Sequence, residues 1–329
     1  MLPKADLHVH AETDARLDRV LARREGRSPY DWAHWAARLQ TETLPGMARL
    51  ERLASDHCRD QVTVDALDAV PENFIARIID LLMQGAADGA VLIEVRLGRS
   101  TLEHPDVMPL FREAERQVQQ HYPHLRAEAV LSGLWPPRHD PDGSLLQSCK
   151  AAARLGLAGI DLIPAPFDTE ADWATVDHWV AQAAEAGLGV TAHVGEFSPA
   201  NIAAALRLPG IRRLGHAVYA ATSPHLLEAV AQSGVTVECA LTCNVVLGAV
   251  SSYEAHPIRQ MVSYGIPVAL ATDDPVRVNT TIGREYAVAA ELGFTPADLL
   301  TFTRNAIEAA FVSEDRRTSL LLRMAANGG

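Results

Sequence analysis

No apolar run in this sequence approaches the roughly 18 residues that a membrane-spanning helix requires, and MLPKADLHVH at the start lacks the apolar stretch of a secretory signal. No membrane partner is expected, and the expected location is the cytoplasm. Cysteine is scarce: Cys58, Cys149, Cys239 and Cys243 are irregularly spaced, which excludes a disulfide framework and a Cys-x-x-Cys zinc knuckle. These thiols are expected to be reduced and structural. Lys and Arg number 29 against 41 Asp and Glu, a formal charge of −12, and the basic residues are not clustered. A nucleic-acid partner is thereby excluded, because counterion release needs clustered cations. A small-molecule partner is expected instead, charged or neutral, since net charge does not set the field inside one pocket. Internal repeats, low-complexity tracts and a basic tail are also missing. So is the Gly-x-Ser-x-Gly elbow of nucleophilic hydrolases. His10-Ala11-Glu12 has no downstream Pro-Cys-x-x-Cys, which excludes a cytidine-type zinc site.

What the chain does have is a regular alternation. Of its 329 residues 48% are apolar and 21% charged, enough to bury a sizeable core. Eight β-type runs recur, at Ala5–His10, Ala90–Leu97, Ala127–Leu131, Gly159–Ile163, Gly189–His193, Arg212–His216, Val235–Ala240 and Pro267–Thr272. Between them lie segments with apolar residues at three- and four-residue spacing, such as Thr169–Ala186, Ser223–Gln232 and Pro296–Phe311. Glycine or proline closes several of these helices before the next strand, as in Ala-Gly-Leu-Gly-Val at 186–190. Strand and helix alternation predicts parallel βαβ units. Eight of them can close into a (β/α)8 barrel, although an open doubly wound sheet has the same local pattern. Residues 1–329 are read as one domain, with a mostly helical insertion over about 11–87 that sits at the barrel mouth as a lid.

Chemistry-bearing residues collect at the carboxyl ends of these runs. His8 and His10 flank Val9, so a period of two aligns both imidazoles on one face. Four of thirteen histidines, His8, His10, His193 and His216, end inferred strands, and Asp273 and Asp274 follow the last one. In a barrel these ends share one rim. Three imidazoles and a carboxylate suit zinc or iron, with a position left open for water. Gly195 in His-Val-Gly-Glu allows a sharp turn and close approach to a ligand. Glu196 beside a metal can shuttle protons; alternatively it occupies the first turn of a helix starting near Ser198–Pro199. Asp273 and Asp274 would repel if both were ionised in a dry site, and a metal on one relieves this. The other then recognises a substrate N–H or takes up a proton. Thr-Asp-Asp-Pro also reads as a turn or helix start with Pro275 at the first helical position. The histidines at 34, 57, 104, 121, 124, 139, 178, 225 and 256 lack such company and are read as surface or packing residues, and Cys239 and Cys243 as pocket lining at most.

Leu-His-Val-His (7–10), Glu-Val-Arg (94–96), Gly-Ile-Asp-Leu (159–162), His-Val-Gly-Glu (193–196), Leu-Gly-His (214–216), His-Pro-Ile (256–258) and Thr-Asp-Asp-Pro (272–275) occur in order along the chain, followed by Arg304-Asn305-Ala306. Together they resemble the adenosine deaminase-like branch of the metal-dependent amidohydrolase superfamily. The resemblance implies a (β/α)8 barrel with one Zn2+ per subunit, or another divalent transition metal, held by His8, His10, His193 and Asp273. It further implies that Glu196 protonates ring N1 as metal-bound hydroxide attacks C6, that His216 orients or deprotonates the water, and that Asp274 bonds N7. Ammonia is the product released.

Substrate-facing positions depart from the family pattern. Pro164, after Ile163, stands where the family usually has a glycine whose N–H meets purine N3, and proline has no N–H. Ala11-Glu12-Thr13 replaces the usual leucine, acid and glycine, which leaves open whether Glu12 meets a ribose hydroxyl. Ala217 follows His216 where glycine is usual, and Cys243 stands where serine commonly precedes asparagine. Adenine, adenosine or a modified derivative is the expected substrate class. The competing readings are a metal-dependent amide or ester hydrolase and a non-catalytic binding protein with the same fold; homo-oligomerisation is left open. If the three imidazoles and Asp273 share one ion, His193→Ala abolishes both metal retention and turnover. Elemental analysis with an activity assay checks this, and full activity in a demetallated variant would rule it out.

Overall fold

The order of the eight apolar runs along the chain is also their order in space. The computed structural model describes residues 2–11, 14–55 and 70–327. Within these, β1 (Lys4–His10), β2 (Ala90–Leu97), β3 (Arg126–Leu134), β4 (Leu157–Leu162), β5 (Gly189–Val194), β6 (Ile211–His216), β7 (Thr236–Cys239) and β8 (Val268–Leu270) form one parallel sheet ordered β1 to β8. The chain following β8 returns to β1 through a parallel bridge between Val9 and Asp273. There His10 N donates to Asp273 O at 2.8 Å and Asp273 N donates to His8 O at 2.7 Å. The sheet closes into the (β/α)8 barrel, and the doubly wound alternative is excluded. Residues with candidate ligand side chains make the closing contact.

The strand pleat sorts side chains as the spacing predicts. Ala5 and Leu7 pack outward with Ala306 and Ile307 of the helix Pro296–Ala309, and Val9 joins the core that contains Phe74 and Ile78. The alternate residues Asp6, His8 and His10 face the lumen. That helix begins with proline at its first turn and a capping box between Thr295 and Asp298, which satisfies its free N–H groups.

Between β1 and β2 the chain forms α1 (Asp14–Glu25), α2 (Trp32–Thr41), α3 (Gly46–Ser55) and α4 (Pro71–Ala87). α4 is tied to α1 by Asp80, which pairs with Arg16 at 2.9 Å, Arg19 at 2.6 Å and Arg23 at 3.0 Å. Trp32, Trp35, Ala36 and Leu39 of α2 pack with Ala240, Cys243, Val246, Leu247 and Val278, from the loops following β7 and β8. The insertion therefore rests on the carboxyl rim. Glu12, Thr13, His57 and Cys58 lie outside the described residues; Cys149, Cys239 and Cys243 are buried free thiols.

Two local alternatives are not realised. No helix starts near Ser198–Pro199: the short helix there spans Ile202–Ala205, so Glu196 is not in its first turn. Asn201 precedes it in left-handed backbone, and its Oδ1 is committed to Ala171 N and Trp173 Nε1, both at 2.9 Å. Nor does Thr-Asp-Asp-Pro open a helix. Residues 275–279 form turns, and the next helix, Ile282–Glu291, is capped by Thr281.

Charge fills much of the lumen beneath the rim. Arg213 pairs with Glu94 at 2.6 Å and Glu238 at 2.6 Å, while Arg96 pairs with Glu238 at 2.5 Å and with Asp161. The aromatic ring of Phe311 closes this stack from below, with the Arg213 guanidinium 3.6 Å from its centroid. A Cβ at Gly159 or Gly189 would come within 2.3 or 2.0 Å of that ring. Because Arg213 pins the ring, Gly189→Ala should cost about 1–3 kcal/mol through overpacking. Denaturant unfolding measures it, and an unchanged midpoint would contradict the account.

Candidate metal centre and active site

The inward side chains of β1, the end of β5 and the turn after β8 meet on the carboxyl rim. His8 Nε2 lies 3.2 Å from His10 Nε2, and both face Asp273 Oδ1, at 3.5 and 3.3 Å. His193 joins them, so that one ligand atom from each of His8, His10, His193 and Asp273 lies within 4.8 Å of every other. The strands thus bring together all four residues of the expected ligand set.

The outer nitrogens explain why the inner ones point at one another. His8 Nδ1 is 3.0 Å from Glu238 Oε2, and His193 Nδ1 is 3.0 Å from Asp161 Oδ1. Ionised carboxylates only accept, so each Nδ1 carries the proton and donates it. In neutral imidazoles Nε2 is then a bare lone pair. Burial favours the neutral form, pushing His193 down to about 4 despite the Asp161 carboxylate. Two arginines hold the supporting acids ionised: Arg96 and then Arg213 lower Glu238, and Arg96 lowers Asp161, each against burial. Lone pairs from imidazoles converging beside a carboxylate oxygen attract a cation and repel one another without it. The donor set therefore fits a divalent transition metal, with Glu238 and Asp161 behind the rings fixing their tautomers.

Beside this cluster stand the other candidate residues. His216 Nε2 is 3.7 Å from Asp273 Oδ2 and 3.7 Å from Glu196 Oε2. Asp273 thus turns one oxygen to the imidazole cluster and the other to His216. Glu196 is 3% exposed, and burial followed by the Asp273 charge pushes it well above the ordinary glutamate range. Its Oε1 is buried without a hydrogen-bond partner among the described residues. His216 and Asp273 both adopt left-handed backbone, with φ of 67° and 63°. Such conformations cost about 1–3 kcal/mol each in non-glycine residues and concentrate at functional sites. Ala217, at φ 48°, occupies backbone that favours glycine.

A cavity of about 250 Å³ opens over these groups. Its wall includes His10, His193, Glu196, His216, Asp273 and Asp274, with Leu50, Ile163, Phe167 and Leu247 supplying apolar surface. Leu50 comes from α3 of the insertion. Arg277 also lines the cavity, 3.7 Å from Asp274 Oδ2. Pro164 and Gly195 are buried but are not part of the wall. Gly195 serves packing: at φ +73° a Cβ would come 2.7 Å from Ile202 and 3.0 Å from the Ala217 backbone.

Several residues gain importance that their sequence context did not signal. Glu238 was one acid in a short strand, yet it supports His8 and both buried arginines. The signal was available in principle: Asp6, Glu94, Arg96, Asp161, Arg213 and Glu238 are charged residues inside strands, where burial demands partners. His256, which begins the His-Pro-Ile motif and was read among the surface or packing histidines, is a packing residue whose bonds reach the site. It is buried and bonded to Asn244, which in turn meets His216. Cys243 is buried beside Asp273, with its thiol held well above the ordinary range by burial and then by that carboxylate, and is not part of the cavity wall.

The fold and the rim define a (β/α)8 barrel with a candidate cation site of three imidazoles and one carboxylate. A family model described as adenosine deaminase matches residues 145–327, more than half of the chain, and the chain belongs to the adenosine deaminase family. An adenine deaminase of Rhizobium leguminosarum bv. trifolii is 40% identical over 206 residues, 61% of this chain and 62% of that protein. The chain spans about half the length of the curated relatives it matches. Among solved structures, an adenine deaminase from Arthrobacter aurescens shares the fold with a TM-score of 0.77 and 21% identity, over 99% of both chains. An amidohydrolase from Burkholderia ambifaria with bound Zn shares it with a TM-score of 0.74 and 20% identity, over 99% of this chain and 90% of that one.

Glu238→Gln removes the charge that orients the His8 ring. Metal affinity should fall about 10–100-fold. Competition with a chromogenic chelator measures this, and an unaltered affinity would remove Glu238 from the site.

Proposed function

We propose that this chain is a metal-dependent aminohydrolase that replaces the exocyclic amine of a purine-like ring by oxygen and releases ammonia. His8, His10, His193 and Asp273 would hold the ion, taken as Zn2+ because their donor set suits it and a fold neighbour carries it. A bound divalent ion lowers the pKa of water at its open position and so supplies a nucleophile at neutral pH. The protein's own groups do the rest.

Glu196 carries the proposal. A carboxyl group whose protonated form is favoured by burial, with Oε1 buried and without a hydrogen-bond partner among the described residues, stands in the cavity wall beside the imidazole cluster and has a proton to give to a ring nitrogen. Protonating that nitrogen draws electrons from the adjacent carbon as water oxygen bonds to it. Asp273 Oδ2, turned away from the cluster, accepts a hydrogen from that water, and His216 orients it. The resulting carbon bears both hydroxyl and amine; the amine takes the proton held by Asp273 and leaves as ammonia, while the hydroxyl proton returns to the Glu196 carboxylate and the carbonyl remains. Asp274 lines the same cavity and can accept an N–H of the ring. Leu50, Ile163, Phe167 and Leu247 form apolar walls suited to a flat heterocycle and exclude bulk water.

The family and the adenine deaminase relative support a purine substrate. Screening adenine, adenosine and their N6-modified and phosphorylated derivatives for ammonia release with zinc-loaded protein tests the reading. Glu196→Gln should retain the metal and lose about 10²–10⁴-fold in kcat. Hydrolysis of amides or esters without ammonia release from any aminated purine would overturn the proposal.

A further inference from the structure

Behind His216 a row of three groups specifies which of its ring nitrogens carries the proton. The row begins with a donor that has no alternative form: Ile258 N–H points at His256 Nδ1, 3.1 Å away. His256 Nδ1 therefore accepts, and in the neutral ring the proton resides on Nε2. Burial alone keeps His256 neutral, pushing it down to about 3. Its Nε2–H faces Asn244 Oδ1 at 3.2 Å. The reversed amide would set one N–H against another, so the anchor at Ile258 also fixes the orientation of Asn244. Asn244, fully buried, then directs Nδ2–H at His216 Nδ1, 3.1 Å away. That nitrogen is an acceptor in its turn.

We infer that the relay from Ile258 N–H through His256 and Asn244 holds neutral His216 in its Nε2–H tautomer, so that His216 donates a hydrogen bond toward the reacting water and is not its base. The geometry on the other side agrees. His216 Nε2 faces the Asp273 carboxylate, with Oδ2 at 3.7 Å, which is an environment for a donor; Glu196 Oε2 lies at the same distance. Placed there, an N–H stabilises charge developing on the water oxygen, while the water's own hydrogen goes to Asp273 Oδ2. His256 and Asn244 do not line the cavity; they act through His216 as positioning residues. Only the identity of the water rests on the proposed deaminase activity. The tautomer does not.

Long-range 1H–15N correlation spectra of zinc-loaded protein labelled with 15N-histidine read the tautomer directly, with His216→Gln identifying its signals. The expected pattern is a protonated Nε2 and an unprotonated Nδ1 for His216. Asn244→Asp is nearly isosteric but sets an acceptor between the two rings, which draws an N–H from each. It should move the His216 proton to Nδ1 and lower kcat for ammonia release about 100-fold, with little change in KM. His256→Leu should mix the two tautomers, whereas His256→Gln, which can still donate to Asn244 Oδ1, should restore the original signature. A protonated Nδ1 at His216 in the unaltered protein would overturn the relay. Asn244→Asp that swaps the tautomer while kcat is kept or raised would overturn the donor role. The spectra need no turnover, so failure of the deaminase reading is distinguishable from failure of this one.

Discussion

Imidazole lone pairs aimed at one another in a buried barrel mouth are costly unless a cation lies among them, and much of the interior is arranged to maintain that geometry. Protons are kept off the inner nitrogens by giving the outer ones acceptors: Glu238 for His8 and Asp161 for His193. Those acids are kept ionised by Arg96 and Arg213, and Arg213 is balanced by Glu94 and stacked on Phe311. A chain of alternating charge thus runs from the barrel floor to the rim. Buried ion pairs of this kind contribute little net stability compared with apolar packing, because desolvation offsets attraction. Their value here lies in orientation and protonation state.

Closure of the barrel and assembly of the site are the same event. The bridge between Val9 and Asp273 joins the chain after β8 to β1, and the residues around it supply His8, His10 and Asp273. Asp273, whose backbone is left-handed like that of His216, turns one oxygen to the imidazoles and the other to His216. The strain in both is held by strand hydrogen bonds and by dense packing around them. Above the rim, α2 packs on the segments after β7 and β8 and α3 brings Leu50 into the cavity wall, so the wall combines strand ends with a residue from the insertion.

Much of the architecture was legible from local pattern. Runs of β-branched and small residues separated by helical spacing marked all eight strands to within a few residues, because pleat and helix periods are properties of neighbouring residues. The pair His8 and His10 was legible for the same reason. Glu238 and His256 were not, since their partners are remote in sequence: Glu238 meets His8 and Arg96 across 230 and 142 positions. After Asp274 the local pattern left a turn and a helix start both open, and the structure has the turn.

By itself, then, the sequence determined the strand and helix order, the carboxyl-end position of the chemistry-bearing residues and the kind of ligand atoms on offer, because each depends on periodicity and residue type. Tertiary structure alone decided that the sheet closes, which imidazole nitrogens face inward, which acids and arginines stand behind them, and that Asn244 and His256 lie behind His216. These depend on groups far apart in the chain approaching within hydrogen-bond distance. Protonation and tautomer follow from such approaches, and no local pattern encodes them.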